Sequence, residues 1–441
     1  MNLVNYIFIT VGLAVMAFFA TFYVTSLVEK KLRAAIVSIL FFGLFGIIWS
    51  LVFMAFWQDS MILLLPVAVV AVFTALFFLP AGGMSSIRIE DVNGKVDERD
   101  IMFAREEYLP GSEKYAIYYE MRPEHKKIDD RIRKLPVMFK PGGRHYDPVR
   151  SQQIEAIFEK IETALTYVDG PVADIRAEYN SEEATRIVKK YVLENGADDV
   201  GICELNPLYV YSHVGRGPEP WGQPIVNRHS YAIMFTLEMN YFHVESAPDL
   251  PITAETAAKY FEGARISIGL ADYIRKLGYP ARAHIAGSNY QIMLPPVAYD
   301  AGLGELGRHG YLISPTLGSR IRLGAVTTDL PLLTDKPITF GVQDFCQVCK
   351  KCATNCPSRA IPDGDKCEVR GVEKWLLDME KCLWYWRVAG TDCGLCMKVC
   401  PFSHPPTPLH NLVKKAIKRS PFARRVAVYG DDLFYGRKKD F

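Results

Sequence analysis

The sequence has no large excess of either charge. Its 441 residues include 51 lysines and arginines and 49 aspartates and glutamates, a formal net charge of +2. A broad basic face for nucleic acid therefore has no support, and a local patch is the most that the totals allow. With 49% hydrophobic and 23% charged residues, the chain is also too apolar to be disordered. Its length allows about three structural units.

Cysteine is scarce outside one segment. Nine of the ten cysteines fall between Cys346 and Cys400, so they serve one local purpose and do not form a disulfide scaffold through the chain. This concentration, together with the uncharged runs near the amino terminus, excludes a simple soluble single-domain hydrolase.

Charged side chains are missing from three long runs: Met1–Val28, 34–58 and 60–87. Each run contains the ~20 apolar residues that a helix needs to cross the hydrocarbon core of a membrane. A cleaved signal peptide is the alternative for the first run, but that run lacks a basic start and a small-residue cleavage site. We predict three membrane spans, near residues 6–28, 34–57 and 61–80.

The connectors between the spans predict their orientation. Lys30, Lys31 and Arg33 separate the first two spans, whereas Asp59 is the one charge between the second and third. Because basic connectors stay in the cytoplasm, we expect a multi-pass protein of the inner membrane whose soluble part faces the cytoplasm. The first span follows no twin-arginine pair, which agrees with this expectation. The spans contain no histidine, so haem b is not expected there.

The rest of the chain has the pattern of a soluble protein. Residues 84–150 are rich in proline, glycine and charge, which predicts extended segments that wrap a core. Further on, helical periodicity alternates with strand-like runs near 200–205 and 231–237, and a helix near 254–277 precedes a strand near 281–286. We therefore predict an α/β layer domain. The predicted limits are 1–83 for the membrane anchor, 84–150 for the wrapping segment, 151–340 for the α/β domain, 341–404 for the cysteine-rich unit and 405–441 for a tail.

The cysteine spacing predicts two [4Fe–4S] clusters. The first motif is Cys346-x2-Cys349-x2-Cys352-x3-Cys356-Pro357, and the second is Cys393-x2-Cys396-x3-Cys400-Pro401 with Cys382 upstream. In two-cluster ferredoxins the fourth cysteine of a motif binds the other cluster. The predicted ligand sets are Cys346, Cys349, Cys352 and Cys400 for one cluster, and Cys382, Cys393, Cys396 and Cys356 for the other. Zinc would favour two CxxC pairs at a longer separation, and a cytoplasmic location disfavours disulfides.

A glycine motif in the α/β domain matches the dinucleotide-binding fingerprint but lies in the wrong context. Gly302-x-Gly304-x-x-Gly307 follows Pro295 and Pro296, where a parallel strand should end. No acidic residue follows at the place where it would bind a ribose. We therefore expect no nicotinamide cofactor.

Further motifs lie around these glycines and along the chain. They are Asp97-Glu-Arg-Asp100, Met102-Phe-Ala-Arg105, Gly201-Ile-Cys-Glu-Leu-Asn206, Ala301-Gly-Leu-Gly-Glu-Leu-Gly-Arg308, Leu312-Ile-Ser-Pro315, Gly318, Thr328-Asp-Leu-Pro331, Lys381-Cys382 with Tyr385-Trp386, and Val399-Cys-Pro-Phe-Ser403. Epoxyqueuosine reductases share the glycine motif and the double cluster. The motifs in combination resemble those of the corrinoid- and iron–sulfur-dependent reductive dehalogenases, and this resemblance covers roughly residues 90–410.

The resemblance implies a nitroreductase-like α/β domain that binds base-off cobalamin beside a ferredoxin-like two-cluster domain. An organohalide would lose halide and gain a proton, with cob(I)alamin reduced through the clusters. By position, Tyr241 matches the proton-donating tyrosine of the family and Arg308 its basic partner. An ordinary core tyrosine and a structural salt bridge are the alternatives. Weaker candidates for corrinoid contact are Ser288, Asn289, Gly304, His309 and Ser314, and His309 is not expected to bind cobalt.

The chain departs from the respiratory members of this family, which carry an export signal and dock onto a separate three-span protein. Here three predicted spans lie at the amino terminus, and the arrangement resembles an enzyme and its anchor in one chain. We expect no flavin or ferredoxin extension and therefore a separate electron donor, either a ferredoxin or the quinol pool. We expect no nucleic-acid partner, and a homodimer is compatible with the sequence.

Two other functions remain open at this point. An epoxyqueuosine-reductase-like enzyme would favour a basic docking surface, an aspartate as acid and no membrane anchor. A non-catalytic membrane-bound ferredoxin would need neither a corrinoid nor the glycine-rich stretch at 285–331.

Overall fold

The computed structural model describes residues 2–80, 83–87, 92–286 and 290–438, without the side chain of Ser60. The α-helices in these ranges are α1 (Leu3–Val28), α2 (Leu32–Phe56), α3 (Ser60–Phe78), α4 (Met102–Glu106), α5 (Glu113–Met121), α6 (Pro123–Ile132), α7 (Pro148–Ala164), α8 (Ser181–Glu194), α9 (Tyr241–Glu245), α10 (Leu250–Lys276), α11 (Leu294–Asp300), α12 (Val342–Cys349), α13 (Lys351–Asn355), α14 (Met379–Ala389), α15 (Leu395–Lys398), α16 (Pro408–Arg419) and α17 (Pro421–Tyr435). The strands are β1 (Asp199–Glu204), β2 (Tyr231–Glu238), β3 (Ala281–His284), β4 (Glu305–Leu306), β5 (Leu312–Ile313), β6 (Ile321–Thr328), β7 (Cys367–Val369) and β8 (Val372–Lys374).

The chain forms two compact units. The first comprises Met1–Ser86, Gln343–Lys351 and His404–Asp440, and the second comprises Ile87–Val342 and Cys352–Ser403. Each unit is described by itself below. The predicted domain limits along the chain stay a prediction.

Three helices of the first unit are long and apolar enough to cross a membrane: α1, α2 and α3. Their bounds agree with the three spans predicted from the uncharged runs. Many of their large apolar side chains are exposed, as lipid-facing residues would be. Gly12 allows α1 and α2 to approach, because a Cβ there would lie 2.2 Å from Nε1 of Trp49. The same Nε1 donates to the carbonyl of Phe8 at 3.1 Å.

The two carboxy-terminal helices, α16 and α17, pack on these spans within the first unit. Phe434 meets Phe22 of α1 with ring centroids 4.5 Å apart, and the Ser420 hydroxyl donates to the carbonyl of Leu76 at 2.9 Å. The segment predicted only as a tail therefore has a defined place against the anchor.

The second unit is built on a four-stranded antiparallel sheet with the order β1-β2-β6-β3. Its central row comprises four fully buried residues that face one another across the strands: Ile202, Ile233, Val326 and Ala283. Three predicted runs coincide with β1, β2 and β3, and α10 coincides with the predicted long helix.

Both faces of this sheet are covered. Along β2, Ile233, Phe235 and Leu237 pack into a core with α8 and α10. The alternate residues Ala232 and Met234 pack on the opposite side with α11 and its neighbours. Because successive side chains of a strand point to opposite faces, β2 serves both cores and is apolar on both faces from Ala232 to Phe235. The result is a layered domain of helices and sheet.

The segment at 84–150 differs from the prediction. It contains the helices α5 and α6, where extended structure was expected. Helix α6 starts at Pro123, a residue whose fixed φ suits a first helical turn. Two buried tyrosines, Tyr118 and Tyr119, anchor α5 in an aromatic core. Both helices are short, and with many tyrosines in α5 and many charged residues in α6 they contain few aliphatic residues from which a helical period could be recognised.

Candidate functional site

Tyr241 is the first residue of α9, directly beyond the end of β2. The side-chain oxygen of Asn240 caps this helix by accepting from the backbone N–H groups of Phe242 and His243, at 2.9 and 3.3 Å. The Asn240 N–H donates in turn to a carboxylate oxygen of Glu255 at 2.8 Å. The backbone on both sides of Tyr241 is therefore fixed, which gives its half-buried phenol a defined position.

Arg320 provides a positive charge at the Tyr241 ring. Its guanidinium carbon lies 5.7 Å from the ring centroid. The same side chain is almost fully buried and donates to the carbonyl of Met239 at 2.8 Å, a carboxylate oxygen of Glu238 at 2.9 Å and the carbonyl of Ser403 at 2.6 Å. Sequence reasoning missed Arg320, although an arginine directly before a buried strand is an unusual residue that could have been noticed.

Arg308, the predicted basic partner of Tyr241, is fully buried. Its Nη1 donates to the carbonyls of Pro362 and Gly364, both at 2.8 Å. Its guanidinium lies 4.5 Å from the ring centroid of Trp375. These contacts attach Arg308 to the segment between the two cysteine motifs, and its role towards Tyr241 stays a prediction.

His309 carries a buried hydrogen-bond donor. Its Nδ1 accepts from the N–H of Tyr311 at 3.2 Å, which leaves the proton of the neutral ring on Nε2. Burial lowers the pKa of His309 to about 4, so the ring is neutral at pH 7. Within the described ranges Nε2 has no hydrogen-bond partner. A buried N–H of this kind fits a polar group supplied by a bound cofactor or substrate.

Two other predicted contact residues have local structural roles. A Cβ on Gly304 would lie 2.2 Å from the carbonyl oxygen of Ile313, so the glycine motif allows the β4–β5 hairpin to close. The motif therefore leads into a hairpin and not into the helix of a dinucleotide-binding loop. The Ser314 hydroxyl accepts from the N–H of Leu317 at 3.4 Å. Ser288 and Asn289 lie outside the described residues.

Three tyrosines, Tyr260, Tyr290 and Tyr311, interact electrostatically with Arg322 at the start of β6, and Tyr211 interacts with Tyr290. Burial raises the pKa of Tyr211 to about 12, and raises the pKa values of Tyr290 and Tyr311 well above the usual range. All three nevertheless keep part of their surface accessible. Side chains that are enclosed by protein but keep part of their surface open to solvent are typical of the lining of a concave surface. Arg322 also lies 5.3 Å from the ring centroid of Tyr260 on α10.

One predicted cluster-ligand set is brought together in the second unit. Burial is the first cause that raises the pKa values of Cys382, Cys393 and Cys396, and the charge of neighbouring cysteines, including Cys356, adds to it. Cys356 and Cys396 also pack against one buried apolar cluster, and Cys393 and Cys396 pack against another. Cys356, Cys382, Cys393 and Cys396 are free thiols, so none of the four is used in a disulfide. Four adjacent thiols are the donor set that a [4Fe–4S] cluster requires.

The other predicted set has its members in separate units. Cys346 and Cys349 belong to α12 in the first unit, and Cys352 and Cys400 belong to the second. All four are buried. Their assembly around one cluster stays a prediction from the spacing.

A buried polar network holds the second cysteine loop against the sheet. Asp392, which precedes Cys393, accepts from the hydroxyls of Thr253 and Thr256, both at 2.7 Å. It also accepts from Nη2 of Arg322 at 3.2 Å. The loop is thus attached to α10 and to β6.

Tyr241 and this cysteine loop lie in the same region of the second unit. Met239 and Val244, on either side of Tyr241, pack with Leu395 and Met397 and with the partly buried Cys396. The end of β2, the start of β6, a phenol, two buried arginines and the thiols of Cys393 and Cys396 therefore converge at one edge of the sheet.

Comparison with known proteins agrees with this arrangement. Residues 345–404 match the family model described as a 4Fe-4S dicluster domain, which confirms the prediction of two clusters. The chain is 34% identical over 293 residues to a tetrachloroethene reductive dehalogenase of Sulfurospirillum multivorans, covering 58% of each chain. The chain is similar to the reductive dehalogenases. The resemblance inferred from the motifs is thus confirmed.

Further relatives give the same result. A tetrachloroethene reductive dehalogenase of Desulfitobacterium hafniense (strain Y51) is 34% identical over 284 residues, which cover 54% of this chain and 51% of the relative. An epoxyqueuosine reductase of Salmonella typhimurium is 25% identical over 228 residues, which cover 45% of this chain and 53% of the relative. The chain spans a little over half the length of the curated reductive dehalogenases described here.

A solved structure confirms the fold class. A catabolic reductive dehalogenase in complex with 3-bromo-4-hydroxybenzoic acid has a TM-score of 0.64 and 26% identity, and the match covers 82% of this chain and 50% of that one. A second structure with the same TM-score and identity is described as suggesting a mechanism for B12-dependent dehalogenation. The predicted combination of a helix-and-sheet domain with a cluster domain is therefore present.

The thiol geometry yields a prediction about iron content. Replacing Cys396 by serine should reduce the iron of the anaerobically purified chain from about eight to about four atoms, because each [4Fe–4S] cluster needs its four thiolates. Colorimetric iron analysis measures the change. The matched control is Cys367→Ser, at an exposed cysteine outside both sets, which should keep about eight irons. Unchanged iron in Cys396→Ser would contradict the ligand assignment.

Proposed function

We propose that the chain is a membrane-anchored reductive dehalogenase, an oxidoreductase that replaces a carbon-bound halogen of an organohalide by hydrogen. The convergence of Tyr241, Arg320 and the Cys393–Cys396 loop at one sheet edge carries this proposal. The similarity to reductive dehalogenases supports it. The reaction consumes two electrons and one proton, and it releases halide.

The proposed cofactors are a cobalamin and two [4Fe–4S] clusters. Bound cobalamin would supply the low-potential reducing centre that acts on the carbon–halogen bond. The partly enclosed tyrosines around Arg322 and the buried Nε2–H of His309 fit a large polar cofactor. Residues Gly304, Ser314, Ser288 and Asn289 stay proposed contacts on the strength of the resemblance.

Tyr241 is the proposed proton donor. A phenol can protonate a carbon that gains negative charge as the halide leaves, and it becomes a phenolate in that step. The capped start of α9 holds the backbone of Tyr241 just beyond the end of β2. The attachment point of the ring is therefore fixed by backbone hydrogen bonds.

A basic residue beside Tyr241 would stabilise the phenolate. Arg308 is the partner implied by the resemblance, and Arg320 is a second candidate that the geometry favours. Among the described residues, Nη2 of Arg320 has no hydrogen-bond partner, and its guanidinium already lies over the Tyr241 ring. A fixed guanidinium in a site with little water favours an adjacent negative charge without reorganisation.

The location in the cell and the electron donor are also proposals. The basic connector after α1 supports an inner-membrane protein with its soluble part on the cytoplasmic side. A ferredoxin or a membrane quinol would then deliver electrons to the clusters. A homodimer remains a further proposal.

The cofactor content tests the proposed function. Anaerobically purified chain should contain about one corrinoid and about eight irons, and the reduced protein should release halide from chlorinated ethenes or halogenated phenols. Corrinoid absorption, iron analysis and halide release measure the three quantities. About eight irons without corrinoid, even after reconstitution with cobalamin, would contradict the dehalogenase and leave an electron carrier.

The role of Tyr241 yields a second test. Tyr241→Phe should lower turnover at least ~100-fold, because general acid catalysis contributes about 10²–10⁴-fold. Corrinoid and iron contents should not change. Tyr167→Phe, at an exposed tyrosine of the same unit, is the matched control and should keep full activity. Halide release under single-turnover conditions measures the loss, and retained activity in Tyr241→Phe would remove the tyrosine from the mechanism.

The orientation of the chain in the membrane provides a third test. A fluorescent protein fused after Phe441 should fluoresce, and alkaline phosphatase fused at the same place should be inactive. The reason is that the basic residues after α1 keep that connector, and with it the carboxy terminus, in the cytoplasm. Paired alkaline phosphatase and fluorescent-protein fusions measure the side. Reversing the charges of Lys30, Lys31 and Arg33 provides the control, since it should weaken the bias. Activity of the phosphatase fusion alone would refute the orientation.

A further inference from the structure

A second group of titratable side chains lies in the first unit, whereas the site described above belongs to the second unit. It is formed by Glu29, which follows the last residue of α1, by His410 in α16 and by His404, which precedes that helix. One ligand atom of each residue lies within 4.8 Å of those of the other two. The three residues come from two segments nearly the whole chain apart.

All three side chains are largely withdrawn from solvent. The Glu29 side chain is 1% exposed, and those of His410 and His404 are 10% and 14% exposed. Nε2 of His410 lies 2.8 Å from Oε1 of Glu29. The two imidazole rings stack with centroids 4.7 Å apart and planes inclined by 11°.

Further polar groups orient these side chains. Nε2 of His404 lies 2.8 Å from Oδ1 of Asp431, a bond that leaves Nδ1 of a neutral ring as an electron-pair donor. The Tyr435 hydroxyl lies 3.2 Å from Oε2 of Glu29. In metal sites, the second ring nitrogen of a histidine ligand usually donates a hydrogen bond to a carboxylate. Carboxylate ligands are in turn hydrogen-bonded by neighbouring groups.

The charges favour a cation at this position. A carboxylate buried at the end of a membrane span is costly unless a positive charge compensates it. A divalent ion would use both neutral rings and the carboxylate together, and two histidines with one glutamate are an established donor set for zinc.

We propose that Glu29, His404 and His410 bind a zinc ion. The ion would attach the connector after α1 to the start of the carboxy-terminal helices. Asp431, which orients His404, also forms an ion pair with Lys351, so the site is joined to the segment that follows Cys349. This inference does not rest on the proposed dehalogenase activity.

The test uses the full chain in detergent with its clusters loaded. After one equivalent of Zn²⁺ and removal of unbound metal, elemental analysis should find about one zinc beside about eight irons. X-ray absorption at the zinc edge should show nitrogen and oxygen neighbours at ~2.0–2.1 Å and no sulfur at ~2.3 Å. The spectrum separates this site from zinc in vacant cysteine sites.

Two variants locate the ion. Glu29→Gln and His410→Asn should each lower zinc retention at least ~10-fold, which is the smallest loss typical of disturbed metal sites. Iron content should not change, and it reports that the chain is folded. His213→Asn, in the second unit, is the matched control and should keep its zinc.

Three results would overturn the proposal. They are wild-type chain without zinc, a zinc spectrum with sulfur neighbours, and undiminished zinc in both Glu29→Gln and His410→Asn. The first two are read from the wild-type protein, so they decide the question even if a variant fails to fold. Without zinc, Glu29, His404 and His410 would form only a hydrogen-bond network.

Discussion

Arg320 places a full positive charge inside the second unit, and the surrounding segments accept its hydrogen bonds. The carbonyls of Met239 and Ser403 and the carboxylate of Glu238 surround one guanidinium. Leaving such a buried charge without one of its partners costs about 3–5 kcal/mol. The end of β2, the start of β6 and the residues after the last cysteine must therefore stay together, and Tyr241 lies where they meet.

The first unit meets a different constraint. Its spans are so apolar that each helix could face the lipid with almost any side, because lipid does not discriminate between apolar faces. Specific contacts supply the order: Trp49 against Gly12, Phe434 against Phe22, and the polar cluster around Glu29. A charge buried at the end of an apolar helix fixes that end far better than another leucine would.

Local features of the sequence predicted much of this structure. The uncharged runs, the cysteine spacing and the strand patterns of β1 to β3 depend on neighbouring residues, so they can be recognised along the chain. Arg320 over Tyr241 and the meeting of Glu29 with His410 depend on residues that are 79 and 381 positions apart. A periodic pattern in the sequence cannot predict contacts between residues so far apart. The helices at 113–132 were missed for another reason: they are short, α5 is rich in tyrosine, and most residues of α6 are charged.

The arginines at 320 and 322 connect these observations. Residues two apart on a strand point to the same face, so the sequence Arg320-Ile321-Arg322 brings both charges to one side of the sheet edge. One reaches Tyr241 and Ser403, and the other reaches Asp392 beside Cys393. The carboxylates of Glu238 and Asp392 already pair with them. A cluster held by four thiolates adds further negative charge, and charge and hydrogen bonding near a cluster set its reduction potential. The positive charges of the two arginines therefore lie between the cluster ligands and the proposed proton donor, and they act on both.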